Sequence, residues 1–222
     1  HSLVIDDNDK VWIGTEKGLS VIHSISNVFD GNTKAERIII EQDENFQYLL
    51  ETEVIRSIIK DAGNRKWVGT FSGGVYLISE DGQETIHHFT TENSPILANN
   101  VIDIEIFGST GEVFFATEKG LVSYFGDATD SDNYKGPVYA FPNPVNSTYT
   151  GIIGIRGLVG NSEVKITDIT GNLVYETISE GGTATWDGKT LSGERVSTGV
   201  YIVFSSSDDG SETEVTKILF IN

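Results

Sequence analysis

Cysteine and methionine are both absent from the 222 residues of this sequence. Without cysteine, the chain forms no disulfide bridge, no thiolate metal site and no cysteine nucleophile. Positive charge is scarce as well, since 15 Lys+Arg face 33 Asp+Glu and give a formal net charge of −18. We therefore expect no nucleic-acid partner, because the sequence has no basic stripe that would displace counterions from phosphates.

Long apolar runs and catalytic motifs are also missing from the sequence. No stretch reaches the roughly 18 apolar residues of a membrane-spanning helix. The G-x-S-x-G, P-loop and H-E-x-x-H motifs do not occur either. We expect no enzymatic activity, no catalytic residue, no metal site and no cofactor. A hydrophobic content of 38%, with 10% aromatic residues, nevertheless indicates a folded chain.

Internal repeats occupy the first part of the chain. The tetrapeptide Trp-Ile-Gly-Thr at 12–15 returns as Trp-Val-Gly-Thr at 67–70 and as Phe-Phe-Ala-Thr at 114–117. Each repeat holds short β-branched segments separated by turns rich in glycine, aspartate and asparagine. Four short strands in about 47 residues are typical of one β-propeller blade. We predict about three blades over residues 1–125, which form an incomplete ring because a propeller needs at least four.

The first and third repeats differ from the second. In the third, Phe114 replaces the tryptophan and Ala116 the glycine, so we expect a degenerate closing blade. In the first, an offset of 55 residues places residues 1–4 on residues 56–59, inside the first strand of a blade. Because the chain also begins without an initiator Met or a leader, we expect it to be the C-terminal fragment of a larger protein.

A polar segment and a second set of strands complete the sequence. Residues 126–137 are predicted to be a linker. In residues 138–222, seven short strands alternate with turns, which is typical of an immunoglobulin-like β-sandwich. The expected fold class is therefore all-β, a partial β-propeller followed by a sandwich. The side chains expected in the sandwich core include Trp186, Tyr201, Phe204 and, from the last strand, Val215, Leu219 and Ile221.

The motifs resemble two known families. The pattern V-x-x-I…D…W-V-G-T…G in the second repeat resembles the blades of two-component regulator propellers. Five segments toward the end of the chain resemble, in family order, the type A C-terminal sorting domain of the Bacteroidetes type IX secretion system. They are Phe-Pro-Asn-Pro at 141–144, V-x-I-x-D-x-x-G-N-x-V at 164–174, Trp-Asp-Gly at 186–188, Gly-Val-Tyr at 199–201 and the terminal segment 216–222. Blades joined to such a domain resemble surface components of that system.

The resemblance implies a non-enzymatic accessory protein at the outer-membrane cell surface. Its implied partners are the sortase and attachment-complex proteins, together with anionic lipopolysaccharide or another surface glycan that it delivers to the sortase. The residues implied to be read by the secretion machinery are Lys217, Ile218, Leu219, Phe220 and Ile221. Since an acidic chain repels an anionic glycan, binding would need a basic patch, sugar–aromatic contacts or divalent ions. The basic candidates are Arg156, Lys165, Arg195 and Lys217.

Other functions and sites also fit parts of the sequence. Propeller blades occur in the periplasmic ligand-sensing part of hybrid two-component receptors, and a sorting domain also ends secreted glycan-active enzymes. The acidic stretch 6–9 is interpreted as a turn rather than as half of a calcium loop. His87 and His88 are neighbours on a predicted strand and point to opposite faces, so they do not share a metal ion. The linker acids, interpreted as solvated charge, are Asp127, Asp130 and Asp132.

Overall fold

The structure, a computed structural model, describes residues 2–24, 26, 33–42, 45–131, 137–207 and 210–221. These residues contain 21 β-strands and no α-helix. The chain divides into two compact units, of which the first comprises residues 1–107 and 112–125 and the second residues 108–111 and 126–222. The expected fold class is confirmed: a partial propeller precedes a β-sandwich.

Three antiparallel sheets and one hairpin form the first unit. The first sheet contains β1 (Leu3–Ile5), β2 (Val11–Thr15), β3 (Gly18–Ile22) and β4 (Glu36–Arg37) in that order, and β5 (Ile39–Gln42) and β6 (Asn45–Tyr48) form the hairpin. The second sheet contains β7 (Ile55–Lys60), β8 (Lys66–Thr70), β9 (Val75–Ile78) and β10 (Thr85–Phe89). The third contains β11 (Val101–Phe107), β12 (Glu112–Thr117) and β13 (Gly120–Phe125). Within the described residues the third sheet has three strands, one fewer than the first and second.

In the first two repeats, the aromatic residue at the start of the repeated tetrapeptide packs against the following sheet. Trp12 clusters with Ile58 and Val68 of the second sheet, and Trp67 lies 5.6 Å from Phe115 of the third, measured between ring centroids. Both tryptophans are 1% exposed. In the third repeat, Phe115 is the buried aromatic residue, whereas the aligned Phe114 is only half-buried. The hairpin β5–β6 lies between the first two sheets in sequence and explains why the first repeat is longer than the second.

Two sheets form the second unit. The three-stranded sheet has the order β14 (Tyr139–Phe141), β16 (Ile153–Arg156) and β19 (Thr183–Trp186). The five-stranded sheet has the order β15 (Val145–Asn146), β21 (Thr213–Ile221), β20 (Gly199–Ser206), β17 (Glu163–Thr167) and β18 (Leu173–Ile178). The strand β15 runs parallel to β21, and the other pairs are antiparallel. One apolar core that includes Val145, Ile155, Val164 and Ile218 is drawn from both sheets.

The core of this sandwich corrects part of the sequence-based prediction. Trp186 and Tyr201 are buried as expected, but Phe204 is 44% exposed. Successive side chains on a strand point to opposite faces, and Val203 and Ser205 occupy the inward positions beside Phe204.

The prediction for the last strand was wrong by one residue. Ile218 and Phe220 have no exposed surface and face the core. The three residues expected there are instead the outward ones: Val215 is 60%, Leu219 37% and Ile221 45% exposed. Because both faces of this strand are apolar, its composition alone does not select the register.

Part of the predicted linker is ordered. The amide of Gly126 donates to the carbonyl of Gly111 at 2.9 Å, and the amide of Asp130 donates to Gly108 at 2.9 Å. Thr129 is buried and its Oγ1 lies 2.7 Å from that of Thr183. Residues 132–136 lie outside the described residues. The boundaries at 1–125, 126–137 and 138–222 stay a prediction.

Candidate functional site

The outer face of the five-stranded sheet, the face turned away from the core, carries exposed apolar side chains in register. Across β20 and β21, Phe204 is opposite Val215. Ile202 and Val200 are opposite Lys217 and Leu219, respectively. We call these five apolar residues the outer ladder: Val200, Ile202, Phe204, Val215 and Leu219. Directly opposed side chains on neighbouring strands make the closest contacts in a sheet, so the outer ladder forms one continuous strip.

Two of the four basic candidates share this outer face. Lys217 is opposite Ile202 of the outer ladder, and Lys165 is opposite Phe204 on the other side of β20. The ammonium of Lys165 forms an ion pair with Glu163 at 2.9 Å, and this hydrogen bond raises the pKa of Lys165. A pocket of about 270 Å³ lies over this part of the face. It is lined by residues that include Glu163, Lys165, Phe204, Glu214 and Val215.

The other two basic candidates are not part of the outer face. Arg156 lies in β16 of the three-stranded sheet, between Tyr139 and Thr183 of the neighbouring strands. The guanidinium of Arg195 donates to the carbonyls of Tyr149 at 2.7 Å and Asp187 at 3.0 Å. It also lies 5.3 Å from the centroid of the Phe220 ring. The structure therefore brings Lys165 and Lys217 to one face and leaves Arg156 and Arg195 elsewhere in the unit.

The five terminal residues predicted to be read by the secretion machinery divide between the two faces of β21. Ile218 and Phe220 are buried in the core, whereas Lys217, Leu219 and Ile221 are exposed. Only these three side chains are open to a partner while the sandwich is folded.

The free edge of β21 is protected by one side chain that sequence reasoning missed. The amide nitrogen of Asn143 donates to the carbonyl of Lys217 at 2.8 Å, and its oxygen accepts from the amide of Leu219 at 3.0 Å. These are the two hydrogen bonds that an adjacent strand would make, and β15 takes over that role from Phe220 onward. Asn143 belongs to the Phe-Pro-Asn-Pro motif, so its presence in that motif was the available signal.

The acidic turn at residues 6–9 has the predicted turn chemistry. One carboxylate oxygen of Asp6 accepts from the amides of Asn8 and Lys10, and the other accepts from Trp12 Nε1 at 2.8 Å and Lys66 Nζ at 3.1 Å. Burial opposes the charge of Asp6, but these hydrogen bonds outweigh it and lower the pKa of the carboxyl.

A buried ammonium group accompanies this turn and was not predicted. Lys66 is 0% exposed, and its ammonium also donates to the carbonyls of Asn64 at 2.7 Å and Glu80 at 2.8 Å. It lies 4.5 Å from the centroid of the Trp12 ring. Burial lowers the pKa of Lys66, and the neighbouring carboxylate of Asp6 acts in the opposite direction. The ammonium therefore has three acceptors, of which Asp6 lies in the first sheet's turn and the two carbonyls lie in turns of the second sheet.

The histidine pair has separate environments. His88 is exposed and stacks on Tyr76 with ring centroids 3.9 Å apart, and its Nε2 lies 2.7 Å from the carbonyl of Gly73. His87 is half-buried and lies against the rings of Phe89 and Tyr124. Over the ranges that the structure covers, no three histidine or acidic side chains are grouped so that they could hold a metal ion. Asp132 lies outside those ranges.

No helix in the described part of the chain has the length and apolar character needed to cross a membrane.

Residues 139–221 match the family model of the secretion system C-terminal sorting domain. This part of the chain is therefore a sorting domain, and the chain is that of an exported protein. A comparison with curated proteins found no match.

Solved structures narrow the class further. The chain is PorZ-like: it is 31% identical to PorZ of Porphyromonas gingivalis, described as an essential bacterial surface component of the type-IX secretion system, with a TM-score of 0.70. The match covers 100% of this chain and 30% of that chain, so this chain spans less than a third of PorZ.

Two extracellular domains from B. thetaiotaomicron are also similar over most of this chain. The hybrid two-component system BT3049 has 16% identity, covers 98% of this chain and 44% of its own, and gives a TM-score of 0.43. BT4673 has 12% identity, covers 99% of this chain and 31% of its own, and gives a TM-score of 0.38.

Proposed function

We propose that this chain is part of a non-enzymatic accessory protein of type IX secretion that acts at the outer-membrane cell surface. In this proposal, the sorting domain is read by the secretion machinery. The protein then binds the sortase or attachment-complex proteins and presents an anionic lipopolysaccharide or related glycan to the sortase. The observation that carries the proposal is the likeness to PorZ over the whole chain, together with the sorting domain at residues 139–221.

The sorting domain also discriminates between this function and the receptor alternative. In a hybrid two-component receptor, the ligand-sensing propeller is followed by a membrane helix and a kinase. In this chain the propeller blades are followed by a sorting domain instead. A secreted glycan-active enzyme with its catalytic domain upstream of residue 1 would share the sorting domain. A catalytic domain in the full-length gene would favour that alternative, whereas two further sets of propeller repeats would favour the proposed function.

The exposed end of β21 is the part of the sorting domain that we propose is recognised. Lys217, Leu219 and Ile221 project outward, so a partner can contact their side chains while the backbone of β21 stays paired with β15 and β20. The test is surface display of the chain in a host with type IX secretion. We expect Ile221→Asp to lower display at least fivefold. The matched control is Ile178→Asp, which changes a 63% exposed isoleucine in the same sheet and should leave display unchanged. Equal display of the two variants would contradict this role.

For the glycan, we propose the outer face around Lys165 and Lys217. This face combines two ammonium groups with the exposed ring of Phe204, so it offers cationic and aromatic contacts to an anionic sugar. The sandwich has five Lys+Arg against ten Asp+Glu over residues 138–222. Because this net negative charge repels an anionic glycan, binding requires cations that lie close together. Arg156 and Arg195 stay predicted candidates outside this face.

The glycan proposal is tested by titration of the whole 222-residue chain. Purified anionic lipopolysaccharide should bind, and a neutral glycan of similar size should bind at least tenfold more weakly. The double variant Lys165→Gln/Lys217→Gln should lose most of the affinity. The control Lys189→Gln removes an exposed lysine that pairs with Asp187 at 2.9 Å and should have no effect. Equal binding of anionic and neutral glycans would remove the delivery role and leave the sorting role intact.

A further inference from the structure

A pocket in the first unit is built by the hairpin that lengthens the first repeat. Residues 47–53, at the end of the hairpin β5–β6 and just after it, form one wall, and Tyr76, Thr85 and His88 of the second sheet form the other. The pocket has a volume of about 340 Å³. This is about ten times the roughly 30 Å³ of one water molecule and within the range of small-molecule sites.

Aromatic rings line both walls of this pocket. Tyr76 and His88 stack with an angle of 12° between their planes. Nε2 of His88 is held by the carbonyl of Gly73 at 2.7 Å, so the stacked pair is fixed in place. On the hairpin side, the Tyr48 ring has the guanidinium of Arg37 3.8 Å from its centroid. Arg37 is not among the residues that line the pocket, although it contacts Tyr48 from one side.

The polar groups of the pocket include two carboxylates, neutral groups and the imidazole of His88. Glu51 and Glu53 both line it, together with Gln47 and Thr52. Glu53 accepts a hydrogen bond of 3.3 Å from Ser72, and Glu51 lies 3.6 Å from Arg37. The carboxylate of Glu51 therefore forms an ion pair with Arg37, whereas this contact of Glu53 is with a neutral hydroxyl. Burial, and to a lesser degree the charge of Glu53, raises the pKa of Tyr76 to about 12, so its hydroxyl stays a donor at physiological pH.

The geometry points to a binding site for an amino sugar between the hairpin β5–β6 and the second sheet. Flat aromatic walls suit the apolar face of a sugar ring, and the hydroxyl, amide and carboxylate groups suit its hydroxyls. The carboxylate of Glu53, more than that of Glu51 with its Arg37 partner, favours an ammonium substituent and repels a uronic acid. The site lies in the first unit and selects positive charge, so it is independent of the anionic-glycan proposal for Lys165 and Lys217.

The experiment is titration of the 222-residue chain at pH 7 and low salt with four small probes. Glucosamine, which carries an ammonium group, should bind at least tenfold more tightly than glucose, and glucuronate should not bind. Methylammonium tests whether the amine alone suffices. In a spectrum of backbone amide shifts, glucosamine should perturb residues 47–53 and Tyr76 and leave residues 138–221 unchanged.

Two variants decide the role of charge. Glu53→Gln should weaken glucosamine binding at least fivefold and leave glucose binding unchanged. The control Glu84→Gln removes an exposed glutamate that does not line the pocket and should change neither. Equal affinity for glucose and glucosamine, shifts outside the pocket, or methylammonium binding as tight as glucosamine would each overturn the proposal. Comparison of the amide spectra of the free variants identifies any folding defect.

Discussion

Gly69 lies so close to Val101 that a methyl group on Gly69 would stand 2.7 Å from Cγ1 of that valine. Gly14, its equivalent one repeat earlier, has the same relationship to Ile55, with 2.6 Å to Cγ2. In each case the glycine belongs to the second strand of one sheet and the β-branched residue to the first strand of the next. The glycine of the repeated tetrapeptide is therefore the point at which neighbouring blades approach each other. The third sheet is the last of this unit and has Ala116 at this position.

From this contact we predict that Gly69→Ala destabilises the first unit. The added methyl group would collide with a β-branched side chain, which has little rotamer freedom, and overpacking of this kind costs about 1–3 kcal/mol. The measurement is chemical denaturation followed by circular dichroism. Gly154→Ala is the control, because its added methyl group would meet no atom closer than 3.9 Å. Equal stability of the two variants would contradict the role of this glycine.

A second prediction concerns the buried ion pair of Asp6 and Lys66. Lys66→Met should lower the free energy of unfolding by about 3–5 kcal/mol, because it leaves a buried carboxylate without its cation. Asp6→Asn removes the negative charge of the pair. The double variant Lys66→Met/Asp6→Asn should lose less free energy of unfolding than the sum of the losses in the two single variants. A double-mutant cycle of denaturation midpoints measures this coupling. Additive effects would show that the two residues stabilise the first two sheets separately.

The local sequence pattern predicted the strands well, because turn residues and β-branched segments act over a few positions. The face of β21 was not predictable in the same way. Val215, Leu219 and Ile221 are as apolar as Ile218 and Phe220, so only the register against β20 decides which of them are buried. The prediction that Phe204 is buried was wrong for the same reason, because aromatic character does not identify the inward face of a strand.

Contacts between distant parts of the chain were the other features that the sequence did not reveal. Asn143 meets Lys217 across 74 residues, and Lys66 meets Asp6 across 60. A buried lysine has no local signature, because its stability depends on acceptors from three separate turns. The same is true of the basic candidates. The guanidinium of Arg195 donates to the backbone carbonyls of Tyr149 and Asp187, which come close to it only in the folded chain.

The raised pKa of Tyr76 predicts how stability changes at alkaline pH. Because the folded state holds the phenol proton more tightly than the unfolded state, the free energy of unfolding should fall as pH rises from about 10, the ordinary value, to about 12. For a half-buried group, solvent screening limits the loss to about 1 kcal/mol. Tyr76→Phe should flatten this part of the stability profile. An identical alkaline slope in both proteins would assign the effect to another group.

The clamp that Asn143 places on β21 leads to the last prediction. Asn143→Ala removes both edge hydrogen bonds and should cost about 1–3 kcal/mol, since each bond contributes about 0.5–1.5 kcal/mol. Its specific signature is hydrogen exchange: the amide of Leu219 should lose protection, because it donates to Asn143. Asn146→Ala is the control, an exposed asparagine in the neighbouring β15. Unchanged protection at Leu219 would mean that another group covers this edge. A loss confined to Leu219 would show that Asn143 takes the place of a missing neighbouring strand at this edge.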